Sequence, residues 1–147
     1  MNITEVRIKL ADRLHYGKLL GFATVTIDNC FCIKDVKIVD GRKGPFVAMP
    51  CRKLADKCDW CRTKNHLRQR HCGGCGKPLD PERAEKDHEG RPILYVDICH
   101  PTNHECRFNL RDRVLAEWQA EWDRREAEGD CYVGRHDQDD IGFGEDE

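Results

Sequence analysis

An α+β fold is predicted, a small antiparallel β-sheet with a C-terminal α-helix, interrupted by a zinc-knuckle or zinc-ribbon-like insert. Three observations point to it. Period-two apolar patterns fill the first fifty residues, two Cys-x-x-Cys pairs follow at short spacing, and a four-residue apolar repeat runs through the last third of the chain.

The strands come first. Val6, Ile8 and Leu10 alternate with Arg7 and Lys9, the pattern of a half-buried strand, and Gly21 to Ile27 is rich in β-branched residues. Asp28-Asn29 supplies a tight turn into Cys30 to Val39, the best long central strand, which pairs back as a hairpin. Asp40-Gly41-Arg42-Lys43-Gly44-Pro45 carries turn chemistry, and Phe46 to Pro50 starts another strand. The order is that of a meander, with Lys and Arg side chains on the exposed face or in the loops. After the cysteines, Arg91 to His100 resumes a strand pattern, with Pro92 at its beginning or on an edge because proline has no ladder donor. Leu110, Val114, Trp118 and Trp122, with Leu115 beside them, then define one amphipathic helix from near residue 104 to about 126, facing the sheet. Thr102 with Glu105 offers a reciprocal cap, Asn103 is a competing N-cap, and Gly129 is the stop.

Between these parts lie Cys58-Asp59-Trp60-Cys61 and Cys72-Gly73-Gly74-Cys75, separated by ten residues. Each pair presents two thiolates to one tetrahedral ion, and Gly73, Gly74 and Gly76 allow the tight backbone that turns amides toward sulfur. A set of Cys58, Cys61, Cys72 and Cys75 around a structural zinc leaves neither pair broken. A histidine, His66 or His71, in place of one cysteine is an alternative, as is an iron–sulfur or redox use. Four thiolates leave no open position for catalysis. The expected organisation is therefore 1–53 as the N-terminal part of the sheet domain, 54–90 as the inserted module, 91–129 as its returning strand and helix, and 130–147 as an acidic, flexible tail. So short an insert buries little apolar surface, and a metal crosslink replaces the missing core. Pro78-Leu79-Asp80-Pro81 and the charged stretch 82–89 read as a return connector.

The chain has 147 residues and a formal net charge of -2. Residues 1–81 hold sixteen Lys or Arg against eight Asp or Glu, whereas 82–147 hold nine against nineteen. The positive part suits a polyanion. The acidic end competes for that surface or simply keeps the chain in solution. No stretch is long and apolar enough to span a bilayer, and Met1 to Arg7 lacks the pattern of a secretory signal, so a reducing cytoplasm is expected, with no membrane contact. Cys30, Cys32, Cys51, Cys99, Cys106 and Cys131 then read as small hydrophobes or free thiols.

Arg42 and Lys43 fall on a turn, Arg52 and Lys53 end a strand, and Arg62, Lys64, Arg68 and Arg70 lie between the cysteine pairs. Long cations on loops reach phosphates without burying charge, and Arg107 and Arg111 extend the set onto the first turns of the helix. Trp60 either stacks on a base or covers the small metal-module core. DNA or RNA is thus the expected partner. A protein partner docking on the cysteine module, as an adaptor, is the competing reading. No phosphate loop or open zinc-hydrolase motif is present, and His100 beside Cys99 is read as shaping the strand-to-helix transition, so no catalytic residue is assigned.

Ile38-Val39-Asp40-Gly41, with Gly44, Phe46 and Ala48-Met49-Pro50-Cys51-Arg52-Lys53, resembles the signature segment of the SpoVG septation-regulator family, with Cys51 where a serine is usual. The resemblance extends to Ile3-Thr4-Glu5-Val6-Arg7, to Asp97-Ile98-Cys99-His100-Pro101-Thr102-Asn103 and to Arg107, covering roughly 1–53 and 91–118. It implies a small antiparallel sheet with a C-terminal helix, paired as a homodimer through edge strands. It also implies a bacterial cytoplasmic nucleic-acid-binding regulator of septation, sporulation and gene expression, in a family not known for enzymes. The cysteine module between Lys53 and Arg91 departs from the family's usual short loop.

Overall fold

In the computed structural model, which describes residues 1–11 and 17–135, the chain forms two compact units. One takes in the described parts of Met1–Pro50 and His100–Glu147, the other is Cys51–Cys99.

In the first unit, β1 (Ile3–Leu10), β2 (Leu19–Ile27), β3 (Phe31–Gly41) and β4 (Gly44–Ala48) form a four-stranded antiparallel meander in that spatial order. The β2–β3 turn has Asp28 and Asn29 at φ of 50 and 55, with the Cys30 N–H donating to the Ile27 carbonyl at 3.1 Å. Two consecutive left-handed residues match the right-handed twist of the flanking strands, and Asp and Asn tolerate that conformation better than most residues. At Gly21 any side chain would meet the Lys9 carbonyl, because a Cβ there falls 2.8 Å from that oxygen. The glycine therefore permits the close approach of β1 and β2 beside an irregularity in the β2–β3 register.

One sheet face presents Ile3, Val6, Ile8, Leu20, Ala23, Val25, Val36 and Ile38 to the helix α1 (His104–Glu128), which returns Leu110, Val114 and Trp118. Leu115 and Trp122 pack at the margin of this cluster, so the four-residue repeat does face the sheet. Asn103 is the N-cap, its Oδ1 accepting from the Cys106 N–H at 2.8 Å, and the Thr102 alternative gives way to it. Gly129 ends the helix at φ 54, with its N–H on the Arg125 carbonyl. Beyond it, Tyr132 Oη donates to the buried Glu121 carboxylate at 2.7 Å, and Arg124 bonds both Glu121 and the Val133 carbonyl. Residues 130–133 thus fold back on the helix; the remainder of the acidic end, from residue 136, lies outside the described residues.

The second unit has two short strand pairs and two isolated bridges, His71 with Pro78 and Lys86 with Pro92. β5 (Cys51–Lys53) pairs with β8 (Tyr95–Asp97), and β6 (Ala55–Lys57) pairs with β7 (Lys64–His66). The sequence pattern over 91–100 yields only three strand residues, and they join β5 rather than the four-stranded sheet. Their side chains are all exposed, so no buried face extends the strand further. Leu54 N–H continues the β5–β8 contact onto the Leu94 carbonyl at 2.9 Å, making these two strands the stem from which the cysteine segment projects.

Candidate metal centre and nucleic-acid interface

The second unit is too poor in apolar side chains to hold itself together by burial. Its buried residues are Cys58, Asn65, Cys72 and Ala84, none of them a large hydrophobe. The centre of the unit is instead the set of four sulfurs. Those of Cys58, Cys61, Cys72 and Cys75 all lie within 4.8 Å of one another, close enough to hold a metal ion. Cys58 and Cys75 are 3.8 Å apart and Cys61 and Cys72 3.4 Å. Neither His66 nor His71 belongs to this group.

Two equivalent turns carry the sulfurs. In the first, the Arg62 N–H donates to the Cys58 carbonyl at 2.9 Å and the Cys58 N–H to the Thr63 carbonyl at 2.9 Å. The same bonds recur in the second, from Gly76 to Cys72 at 3.0 Å and from Cys72 to Lys77 at 2.9 Å. The residue after each pair is left-handed, Arg62 at φ 64 and Gly76 at φ 75. Glycine adopts that conformation freely, whereas arginine holds it at a cost that the rest of the turn offsets. Gly74 has a different reason: a Cβ there would sit 2.3 Å from Thr63 Oγ1 and 3.2 Å from the Cys61 sulfur. Of the three glycines, Gly74 and Gly76 are thus required by the turn, one for space and one for φ.

Backbone and side-chain donors converge on Cys72. Its sulfur accepts from the N–H groups of Gly74 at 3.3 Å and Cys75 at 3.5 Å, and from Asn65 Nδ2 at 3.3 Å. These donors stabilise the thiolate, so the Cys72 thiol is lowered to about 5, first by the Cys75 backbone N–H and then by the Asn65 side chain. Cys61 is lowered as well, first by the Thr63 side chain, whose Oγ1 lies 3.1 Å from its sulfur, and then by the Thr63 backbone. For Cys75 the Lys77 backbone N–H lowers the thiol, but burial and the neighbouring sulfurs outweigh it and push it up to about 11. Four acidic groups this close cannot all ionise without a cation among them, which is the electrostatic condition for metal capture with proton release.

Asn65, fully buried, is a residue that spacing alone does not reveal. Besides its bond to Cys72, Nδ2 donates to the Thr63 carbonyl at 3.1 Å and Oδ1 accepts from the Gly73 N–H at 3.0 Å, so one amide locks the two turns together. Arg83 is another. Its guanidinium bonds Asp56 at 3.1 Å and the carbonyls of His66 at 2.7 Å, Gln69 at 2.9 Å and Asp80 at 3.0 Å. The charged stretch 82–89 is therefore anchored at Arg83 and Ala84, and Asp87 closes its far turn by accepting from the N–H groups of Glu89 and Arg91. Burial, then Lys53, Arg68 and Arg83, lower His66, and its Nδ1 accepts from the Arg68 N–H at 2.9 Å, all of which favour the neutral ring.

The cationic residues expected to meet phosphates all reach solvent. Arg42 and Lys43 are exposed in the β3–β4 turn, and Arg107 and Arg111 on the first turns of α1. Arg111 pairs with Asp112 at 2.8 Å and lies over the Phe108 ring, so part of its charge is already engaged. In the second unit Arg52 and Lys53 sit on β5 opposite Val96 and Tyr95, and Arg62, Lys64, Arg68 and Arg70 are exposed around the turns. Trp60 is 72% exposed, so it does not cover the metal module; Lys77 Nζ stands 3.5 Å from its ring centroid. Arg68 similarly covers Tyr95 at 5.5 Å. Cys30, Cys32, Cys51 and Cys131 are free and exposed thiols rather than packed small hydrophobes, and Cys99 and Cys106 are free and half-buried. His100 places Nδ1 2.9 Å from the Pro101 carbonyl, a local contact in the turn before the helix.

Fold and site together define a small sheet-and-helix protein bearing a four-cysteine cluster able to hold a metal. The sequence matches the SpoVG family over residues 1–120, and the chain belongs to that family. It is similar to a protein of Agathobacter rectalis named "Putative septation protein SpoVG", 28% identical over 121 residues, covering 82% of this chain and 95% of that one. A protein of the same name from Myxococcus xanthus is 28% identical over 119 residues, 81% of each chain. One from Borreliella burgdorferi is 44% identical over 54 residues, 36% of this chain and 56% of that one. Among the described residues no helix is long and apolar enough to cross a membrane.

Proposed function

We propose that this chain is a homodimeric, non-enzymatic regulator of gene expression, septation or sporulation that binds DNA or RNA in the cytoplasm, and that its inserted module, residues 54–90, is built on one structural zinc ion. A tetrahedral tetrathiolate zinc with metal–sulfur bonds of ~2.3 Å needs sulfurs ~3.8 Å apart; the Cys58–Cys75 separation of 3.8 Å matches that spacing and the Cys61–Cys72 separation of 3.4 Å falls a little short of it. Cys58, Cys61, Cys72 and Cys75 would hold it. The ion supplies a crosslink and charge neutralisation, with every position filled and none left for substrate.

The observation that carries nucleic-acid binding is the pairing of exposed rings with cations in the second unit, Trp60 with Lys77 and Tyr95 with Arg68. A ring beside a long cation offers a base its face and a phosphate its charge. Arg42, Lys43, Arg52, Lys53, Arg62, Lys64, Arg70, Arg107 and Arg111 complete the proposed phosphate-contacting set, with Arg111 weakened by its pairing to Asp112. A doubly negative tetrathiolate site also draws some of these cations toward itself, so the nearest ones serve the metal centre and the polyanion alike.

Titration of labelled DNA and RNA at two salt concentrations tests this reading. Affinity should fall steeply with salt, and Arg62→Gln with Lys64→Gln should reduce the slope of log affinity against log salt by ~1–2 without loss of zinc. A salt-insensitive complex, or none at low salt, contradicts it. The adaptor reading rests on a different observation, the exposed apolar residues Val96 and Ile98 at the end of the stem; it predicts that replacing them with Thr abolishes protein capture and leaves nucleic-acid binding intact.

A further inference from the structure

The face of the four-stranded sheet turned away from α1 carries a pattern that the metal module does not explain. Strand alternation puts Val6, Ile8, Ala23, Val36, Ile38 and Val47 against or toward the helix, and therefore Lys9, Phe22, Lys37 and Ala48 on the other side. These four are direct cross-strand neighbours: Lys9 opposes Phe22, Phe22 opposes Lys37, and Lys37 opposes Ala48. With strands ~4.8 Å apart, the two lysine backbones flank the phenylalanine ~10 Å from each other. On the same face Val39 opposes Phe46, which is 47% exposed.

One end of this face is an ordinary solvated surface, with Glu5 opposite Thr26 and Arg7 opposite Thr24, but the row beside it is a half-buried ring between two exposed lysines, with a second exposed ring on the next pair of strands. Among the described residues neither lysine has an acidic partner, and the one carboxylate on that face of β1, Glu5, is held by Arg7 at 3.0 Å. Charge and aromatic surface are therefore both unspent.

We propose that this sheet face binds single-stranded nucleic acid, with bases stacking on Phe22 and Phe46 and phosphates meeting Lys9 and Lys37. The inference deepens the nucleic-acid reading above and rests on it, but it assigns the strandedness and a separate set of residues. An aromatic platform on an antiparallel sheet needs unstacked bases, which a duplex does not offer, so single strands are favoured whatever their sequence. On the inner strands β2 and β3 the backbone polar groups are paired on both sides, so recognition there falls to these side chains.

The full-length, zinc-loaded protein is titrated by fluorescence anisotropy with labelled oligothymidylate, oligouridylate and a matched duplex, alongside Phe22→Leu, Phe46→Leu and the Lys9→Gln/Lys37→Gln double variant. Leucine keeps the apolar bulk but removes the stacking face, and the lysines are exposed, so the double variant keeps the fold even if Phe22→Leu loosens it. The expected result is tighter binding of single strands than of duplex. Each phenylalanine variant should lose about fivefold or more on single strands, with duplex affinity and melting temperature nearly unchanged. The lysine pair should lower the salt slope by ~1.4. Comparing the two oligomers separates DNA from RNA. Wild-type binding that all three variants retain, or a preference for duplex, overturns the sheet-face proposal while leaving the loop cations in place. A change in sedimentation with the variants would make the face a contact between copies and overturn it too. Absence of any binding by wild type overturns this proposal and the broader reading together.

Discussion

Cys58→Ser is expected to strip the metal from the chain and unfold most of residues 51–99, while the four-stranded sheet and its helix keep their structure. The expectation follows from how unequally the two units bury apolar surface. Leu20, Val25, Val36, Ile38 and Val114 are all at most 1% exposed in the first unit, against Cys58, Cys72, Ala84 and Asn65 as the buried residues of the second. Burial of large aliphatic side chains contributes ~1.5–3 kcal/mol each, so the first unit has a source of stability that the second lacks. A structural zinc site contributes ~10 kcal/mol or more to the fold that it organises, and a serine oxygen in place of the buried Cys58 sulfur forfeits much of that. Chelation of the wild type should have the same effect. Hydrogen exchange provides the check: amides of the two cysteine turns and of β6 and β7 should lose protection in the variant, those of β2 and β3 should not. Loss of protection in both units at once would mean that they fold as one.

Arg83→Met should destabilise the second unit by ~3 kcal/mol even with metal bound. The Arg83 side chain is only 11% exposed, and its guanidinium is shared among the Asp56 carboxylate and the carbonyls of His66, Gln69 and Asp80. Methionine fills a similar volume, so the loss is chiefly that of hydrogen bonds to a charged donor, with an aspartate left facing carbonyl oxygens. Those four acceptors come from β6, the end of β7, the loop after it and the turn before Arg83 itself, so one side chain closes the unit on the side that the metal does not. Thermal melts followed by Trp60 fluorescence should show the change in the second unit. A variant as stable as wild type would assign all of that unit's stability to the metal and its stem.

What was legible in the sequence had a period or a spacing. The alternation around Val6 and Ile8, the Asp28-Asn29 turn and the Leu110-Val114-Trp118 repeat form as expected, and the two cysteine pairs come together in one cluster. Where the reading fell short, the determinant was a single polar contact. Asn65 and Arg83 act through bonds to backbone carbonyls and one sulfur, which leave no recurrence in the chain. Arg62 read as one more surface cation, yet it also occupies the left-handed position that Gly76 fills in the matching turn. The strand pattern over 91–100 misled for a related reason: apolar residues such as Val96 and Ile98 alternate as in a half-buried strand but are exposed, and pair only with the short β5. Asn103 prevailed over Thr102 as the helix cap because its side chain reaches the Cys106 N–H, a choice that composition leaves open.

The central claim is that one ion joins the two cysteine turns, and its most direct test is a metal count with thiol mapping on protein purified under reducing conditions. The account predicts one zinc per chain, with Cys58, Cys61, Cys72 and Cys75 shielded from alkylation until a chelator is added and the other six cysteines reactive throughout or according to their exposure. Metal-free protein whose second unit is folded, or zinc retained undiminished after Cys58→Ser and Cys75→Ser, would contradict it.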